Sequence, residues 1–201
     1  MKPQTFIFIG RSGCGKGTQA DLLIKALKEK DSSIPIQYLE TGNKFREFIT
    51  QENNYTSSLA REITSVGGLQ PEFLAVWMWS HVFVENLKGG EHLIIDGTPR
   101  KLQEAHVLDS AMDFYKREKP YVIYMDVSRD EAVGRLKGRN REDDTKIDSI
   151  NKRLDWFETD VMPAIEYYKK NPKYKFLDIV GERPIEVIHK ELMEIIFNDN
   201  N

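Results

Sequence analysis

Residues 10–18 of this 201-residue chain read GRSGCGKGT, the pattern G-x-x-x-x-G-K, directly behind the apolar run TFIFIG and directly ahead of a helical period. No other stretch limits the fold so strongly. A glycine-rich turn between a buried strand and a helix lets successive backbone N–H groups converge on phosphate oxygens. The helix N-terminus adds a favourable dipole, and Lys16 brings a point charge to the β- and γ-phosphates. Gly10, Ser12, Gly13, Cys14, Gly15, Lys16, Gly17 and Thr18 are therefore candidate phosphate-binding residues. The strict motif places a hydroxyl right after the lysine; here Gly17 intervenes and the hydroxyl is that of Thr18. A helix N-terminus lowers a thiol pKa, but Cys14 reads as a small loop-filling residue rather than a reactive thiolate.

Behind the loop, Ala20, Leu23, Ile24 and Leu27 recur at i, i+3, i+4 and i+7, the period of a helix packing one face. Apolar runs of strand length follow at residues 36–39, 93–95, 121–125 and 175–179. Between them lie helical candidates at residues 71–87, 102–118, 144–170 (broken near Pro163) and 184–197. Strands alternating with helices predict an α/β fold, a parallel five-stranded sheet with helices on both faces. Residues 41–69 are too long for a simple crossover and read as a small helical insertion, whereas 137–145 (KGRNREDDT) form a short, densely charged stretch. Both are expected at the C-terminal edge of the sheet, where open α/β folds bind ligands. Trp77, Met78 and Trp79, three large residues in one helix, read as core packing.

Composition narrows the function classes. With 29 Lys and Arg against 32 Asp and Glu the net charge is −3, which argues against general nucleic-acid binding. No apolar run approaches the roughly 20 residues of a bilayer span, and the N-terminus lacks a charged-then-apolar signal, so the expectation is a cytoplasmic protein without a membrane partner. The lone cysteine permits no internal disulfide, and the four histidines show no ligand spacing, so no zinc site is expected. At 40% hydrophobic residues, with 10 Phe, 8 Tyr and 3 Trp, the chain can bury the core of one domain. Its oligomeric state is left open, a monomer being the simplest reading.

Positive charge is concentrated instead. From Arg135 to Arg153 the chain carries seven cations (Arg135, Lys137, Arg139, Arg141, Lys146, Lys152, Arg153) against Glu142, Asp143, Asp144 and Asp148. Alone, such a run reads as a solvated helix end. Beside a phosphate loop it reads as a phosphate grip, because a guanidinium presents a planar fork that holds phosphate oxygens bidentately.

GKGTQA (residues 15–20), LETGNKFREF (39–48) and IIDGTPRK (94–101), followed by GRLKGR, REDD, KRL and VGERP, stand in an order that resembles the adenylate kinase family of nucleoside monophosphate kinases over nearly the whole chain. The resemblance implies a single P-loop domain over residues 1–201, with a monophosphate-binding insertion at about 41–70 and a lid at about 137–145. It also implies Mg²⁺-dependent phosphoryl transfer from ATP to a monophosphate, first of all AMP. Residue by residue, it carries acceptor binding to Thr41, Gly42, Arg46, Leu69, Gln70, Gly97 and Arg100, and to Arg141 and Arg153. Lys16, Arg100, Arg139, Arg141 and Arg153 would surround the transferring group; Arg135 would cover the ATP base and Arg183 would contact it through the backbone. Asp96, at the end of an apolar strand, would orient hydrated Mg²⁺. Asp143 and Asp144 would aim the arginines rather than bind metal.

Two departures bear on chemistry. Arg139 and Arg141 are separated only by Asn140, so very little lid remains to exclude water. Where the family places an adenine-reading glutamine, four residues after the DGxPR arginine, this chain has Glu104. A carboxylate accepts from adenine's amino group but offers no donor to N1, whereas guanine's adjacent N–H groups suit it. Alternatively Gln103 reads the base, if the helix starts one residue early. Thr41 resembles the adenine-selective members.

Overall fold

The computed structural model describes residues 1–139, 141, 144 and 146–198. Strands β1 (Thr5–Gly10), β2 (Ile36–Glu40), β3 (His92–Asp96), β4 (Tyr121–Asp126) and β5 (Lys175–Val180) form one sheet in the order β2-β3-β1-β4-β5, every pair parallel. Nine helices accompany them among the described residues. These are α1 (Lys16–Lys30), α2 (Thr41–Gln51), α3 (Tyr55–Ser65), α4 (Glu72–Asn86), α5 (Leu102–Phe114), α6 (Arg129–Gly138), α7 (Ile147–Trp156), α8 (Met162–Lys170) and α9 (Ile185–Asn198).

Strands buried on both faces need apolar side chains in both directions, and β1 alternates accordingly. Phe6 and Phe8 join α1, α6, α7 and α9 through Leu23, Leu27, Leu136, Leu154, Ile188 and Leu192. Ile7 and Ile9 join α4, α5 and α8 through Trp79, Phe83, Leu108, Met112, Ile165 and Tyr168. The expected α/β fold with helices on both faces is what the chain adopts. From β1 the chain crosses to β2 at one sheet edge, and from β3 it passes back over β1 to β4. The strand order therefore reverses around β1, and the C-terminal ends of β1 and β3 open there.

The insertion is two helices. Asn54 opens α3 with a capping box, accepting from the Ser57 N–H while Ser57 Oγ accepts from the Asn54 N–H. Arg61 ties α3 to α2 through the Ile49 carbonyl at 2.7 Å. Gly67 ends the insertion where a Cβ would lie 2.5 Å from the Ser149 carbonyl, so only glycine lets this turn pass α7.

The interruption expected near Pro163 lies just ahead of it, as a π-helical turn at Phe157–Val161 between α7 and α8, and Pro163 sits within the first turn of α8, where proline is tolerated. Two expectations need correcting. The helix after β3 stops at Phe114, four residues early. Met78 and Trp79 are core, but Trp77 is 45% exposed on the outer face of α4, its ring stacked on His81.

Candidate active site

Gly15 caps α1 with φ 97°, a conformation that a β-carbon disfavours, and, having no side chain, makes no cap hydrogen bond to the first N–H groups of the helix. No acidic residue lies in that first turn. The donors thus face the cleft as a preformed anion site. Lys16 Nζ folds back over its own loop, donating to the carbonyls of Gly10 at 2.9 Å and Arg11 at 2.8 Å. Cys14 is buried in the core beneath, its Sγ 3.4 Å from that ammonium, which is the placement of a loop filler.

The loop forms one wall of a cleft of about 870 Å³, a volume suited to nucleotide-sized ligands. Gly10, Ser12, Gly13, Cys14, Gly15, Lys16, Gly17 and Thr18 all line it, as do Gly42, Arg46, Gln70, Gly97, Arg135, Arg139, Arg141, Arg153 and Arg183. Thr41, Leu69 and Glu104 line a smaller adjoining recess that shares Arg100 and Gln70 with the cleft. Gln103 lines neither. Helix α5 begins at Leu102, which turns position 103 outward to solvent and position 104 inward, so Glu104 is the residue at the recess.

The arginines arrive from α2, the turn before α5, α6 with its C-cap, and α7, and each is held by a carboxylate or a carbonyl. Arg100 donates from Nε to the Gly97 carbonyl at 2.8 Å, and its backbone N–H donates to Glu104 Oε2 at 2.6 Å. Arg46, on α2, donates to Glu40 at 2.7 Å. Arg139 donates to Asp144 at 2.7 Å, and Arg153, on α7, donates to the other oxygen of the same carboxylate. Burial alone would raise the Asp144 pKa; the hydrogen bonds and charges of the two arginines outweigh it and hold the carboxyl below its usual range. The expectation that Asp144 aims arginines is met at this residue, while Asn140, Glu142, Asp143 and Thr145 lie outside the described residues. Arg135 lies over the loop, donating to the carbonyls of Cys14 at 3.3 Å and Gly181 at 2.8 Å. Arg183 turns back to the Val180 carbonyl and to Glu191.

Asp96, 6% exposed, ends β3 on the cleft floor, its Oδ2 3.4 Å from where a Cβ on Gly17 would sit. Burial pushes its carboxyl up, against the pull of the Lys16 ammonium. No group of three or more His, Cys, Asp and Glu side chains converges among the described residues. The Asp96 carboxylate on the cleft floor fits a cation that arrives with a nucleotide and keeps most of its water, which needs one outer partner.

Residues 8–173 match the family model described as Adenylate kinase. The chain belongs to the adenylate kinase family. Among its curated relatives, "Adenylate kinase 1" of Nostoc sp. is 31% identical over 186 residues, covering 92% of this chain and 95% of the relative. "Adenylate kinase" of Oenococcus oeni is 26% identical over 196 residues, 97% and 98% of the two chains. "UMP-CMP kinase 1" of Oryza sativa is 28% identical over 205 residues, covering all of this chain and 77% of the relative.

Motif reading missed several residues that shape the cleft of this family member. Tyr38 and Glu40 line it from β2, Tyr38 Oη standing 3.5 Å from Asp96. Trp156 lines it too, donating to the Gly67 carbonyl at 3.1 Å and so tying the end of the insertion to α7. Arg11 stacks 4.2 Å over Phe157 and pairs with Glu158, bracing the loop against the π-helical turn. A charge or an aromatic next to a recognised motif was the available signal, and it carries no partner information on its own. No helix of the described residues is long and apolar enough to cross a membrane.

Proposed function

We propose that this protein reversibly transfers the terminal phosphoryl group of ATP to AMP, giving two ADP. The observation that carries the reading is convergence. The open N-terminus of α1, Lys16 and six arginines (Arg46 from α2, Arg100 from the turn before α5, Arg135 and Arg139 from the end of α6, Arg141 beyond it and Arg153 from α7) all line one cleft. Phosphoryl transfer between two anionic nucleotides asks the protein for in-line positioning and for neutralisation of dispersed charge, and for little covalent work.

In this reading ATP phosphates lie on the loop from Gly10 to Thr18, with Lys16 exchanging its loop carbonyls for phosphate oxygens. Arg135 and Arg183 flank the adenine. Arg46 and Arg100 grip the acceptor phosphate, while Arg139, Arg141 and Arg153 surround the group in flight. Thr41, Gly42, Leu69, Gln70, Gly97 and Glu104 shape the acceptor side. The acceptor is already an anion, so no general base is required. Mg²⁺ carried by ATP would neutralise charge on the transferring phosphates, with Asp96 holding it through water. We read the whole chain as one catalytic domain of the cytoplasm, with residues 41–70 as acceptor insertion and about 137–145 as a minimal lid.

Glu104 favours a second acceptor. Its carboxyl lines the acceptor recess, and Gln70 Oε1 in the same recess is buried with no partner among the described residues. Two acceptor groups suit the neighbouring N–H donors of guanine. The test is a coupled assay with Mg·ATP and AMP, GMP, CMP or UMP, plus a control lacking acceptor. AMP preference is the expected result. GMP preference would make Glu104 the specificity switch, and nucleotide binding without turnover would reduce the protein to a nucleotide sensor.

A further inference from the structure

One carboxylate in the cleft has no part in the reading above, on which the following rests. Glu40 ends β2 in direct register with Asp96 of β3, so both side chains emerge on one face of the sheet at the cleft. Its Oε1 accepts from Arg46 Nη2 at 2.7 Å and lies 4.0 Å from Arg141 Nη1. These two arginines come from opposite sides, Arg46 from the insertion and Arg141 from the segment after α6. Arg46 Nη1 and Arg100 Nη2 also crowd the space above Gly42, at 3.4 and 3.7 Å from where a Cβ there would sit. One carboxylate oxygen therefore lies among the guanidinium groups assigned to the acceptor and transferring phosphates.

We propose that Glu40 is the resident counter-anion of these arginines, a positioning residue that holds Arg46 and Arg141 between turnovers and yields them to the incoming phosphate. The contact is built to be exchanged. Both side chains are 32% exposed and the pair is made through a single carboxylate oxygen, close to the class of ion pair worth least in water. A phosphate offers three oxygens and up to two charges to the same forks, and gains bidentate geometry that Glu40 does not have here. Once displaced, the Glu40 carboxylate stays beside both the bound phosphate and Asp96. That repulsion weakens acceptor binding and hastens release of the product diphosphate.

The test is Glu40→Gln and Glu40→Ser, with Glu62→Gln, an exposed carboxylate on α3, as a charge control. Binding of AMP is read by calorimetry alongside the KM for each substrate. Both Glu40 variants should bind AMP about fivefold tighter and lower its KM alike, leaving the KM for ATP in place. A purely structural Glu40 would move AMP binding the other way. Unchanged or weakened AMP binding in both variants, with an active wild type, overturns the inference alone. A wild type that transfers to no monophosphate overturns the functional reading, and the inference falls with it.

Discussion

The phosphate loop and the arginine wall opposite it serve the same kind of ligand, and they are built in opposite ways. The loop is nine contiguous residues whose donors are mostly backbone N–H groups, fixed by a strand on one side and a helix on the other. The arginine wall collects side chains from α2, the turn before α5, the C-terminal end of α6 and α7, each clamped by a carboxylate or a carbonyl. Backbone donors come with the fold and cost nothing further to aim. Side-chain donors must be aimed by partners, and those partners are as much a part of the site as the arginines.

Removing charge from either wall gives the largest effect. Lys16→Met or Arg100→Ala should lower turnover at least about a hundredfold, about 2.7 kcal/mol of transition-state stabilisation. Lys16→Met should move the urea midpoint of unfolding far less than it moves turnover, because the hydrogen bonds of its ammonium go to the carbonyls and thiol of its own loop. Near-wild-type rates in both variants would sink the assignment.

Attacking an aiming partner should separate the two walls. Asp144 is buried and takes both Arg139 and Arg153. Asp144→Ala removes the carboxylate that Arg139 and the mostly buried Arg153 share, so it should cost about 3 kcal/mol of stability, the lower end for a broken buried pair. Turnover should fall about tenfold as the arginines lose their alignment. Its lowered pKa means that the contribution to stability is present above the ordinary value of 3.8 and is lost as pH falls through the lowered one. A variant that unfolds at the wild-type urea concentration at neutral pH would show that the arginine wall, like the loop, is held by the fold alone.

The same contrast explains what could be read from the sequence. The loop was legible because its function follows from adjacent residues; strand, turn and helix are all local. The arginines were legible as residues and illegible as geometry, since nothing in the spacing of Glu40 and Arg141 places one near the other. Choosing between Gln103 and Glu104 needed the starting residue of α5, and a single residue there rotates the face by a hundred degrees. Helix α6 escaped because it is short and mostly polar and buries only Ala132 and Leu136. Pro163 marked the interruption of the long helix, but its π-helical form over Phe157–Val161 has no local signature.

The smallest effect concerns a carboxylate that is the electrostatic opposite of Asp144. Glu104 accepts from the Arg100 N–H at 2.6 Å and from Thr98 Oγ1 at 3.3 Å, yet burial outweighs both and its pKa is raised. A group that holds its proton more tightly when folded makes the folded state lose stability as pH rises, from the ordinary value of 4.5 through the raised one. Glutamine keeps one acceptor for Arg100 and offers an N–H to Thr98, so Glu104→Gln retains the local bonds while removing the titration. Urea midpoints between about pH 4 and about pH 8 should therefore decline less for the variant than for the wild type, with the curves converging at the acid end. Parallel curves would mean that Glu104 titrates at the same pH in the folded and unfolded chain, and that Arg100 and Thr98 just offset its burial, where Arg139 and Arg153 more than offset that of Asp144.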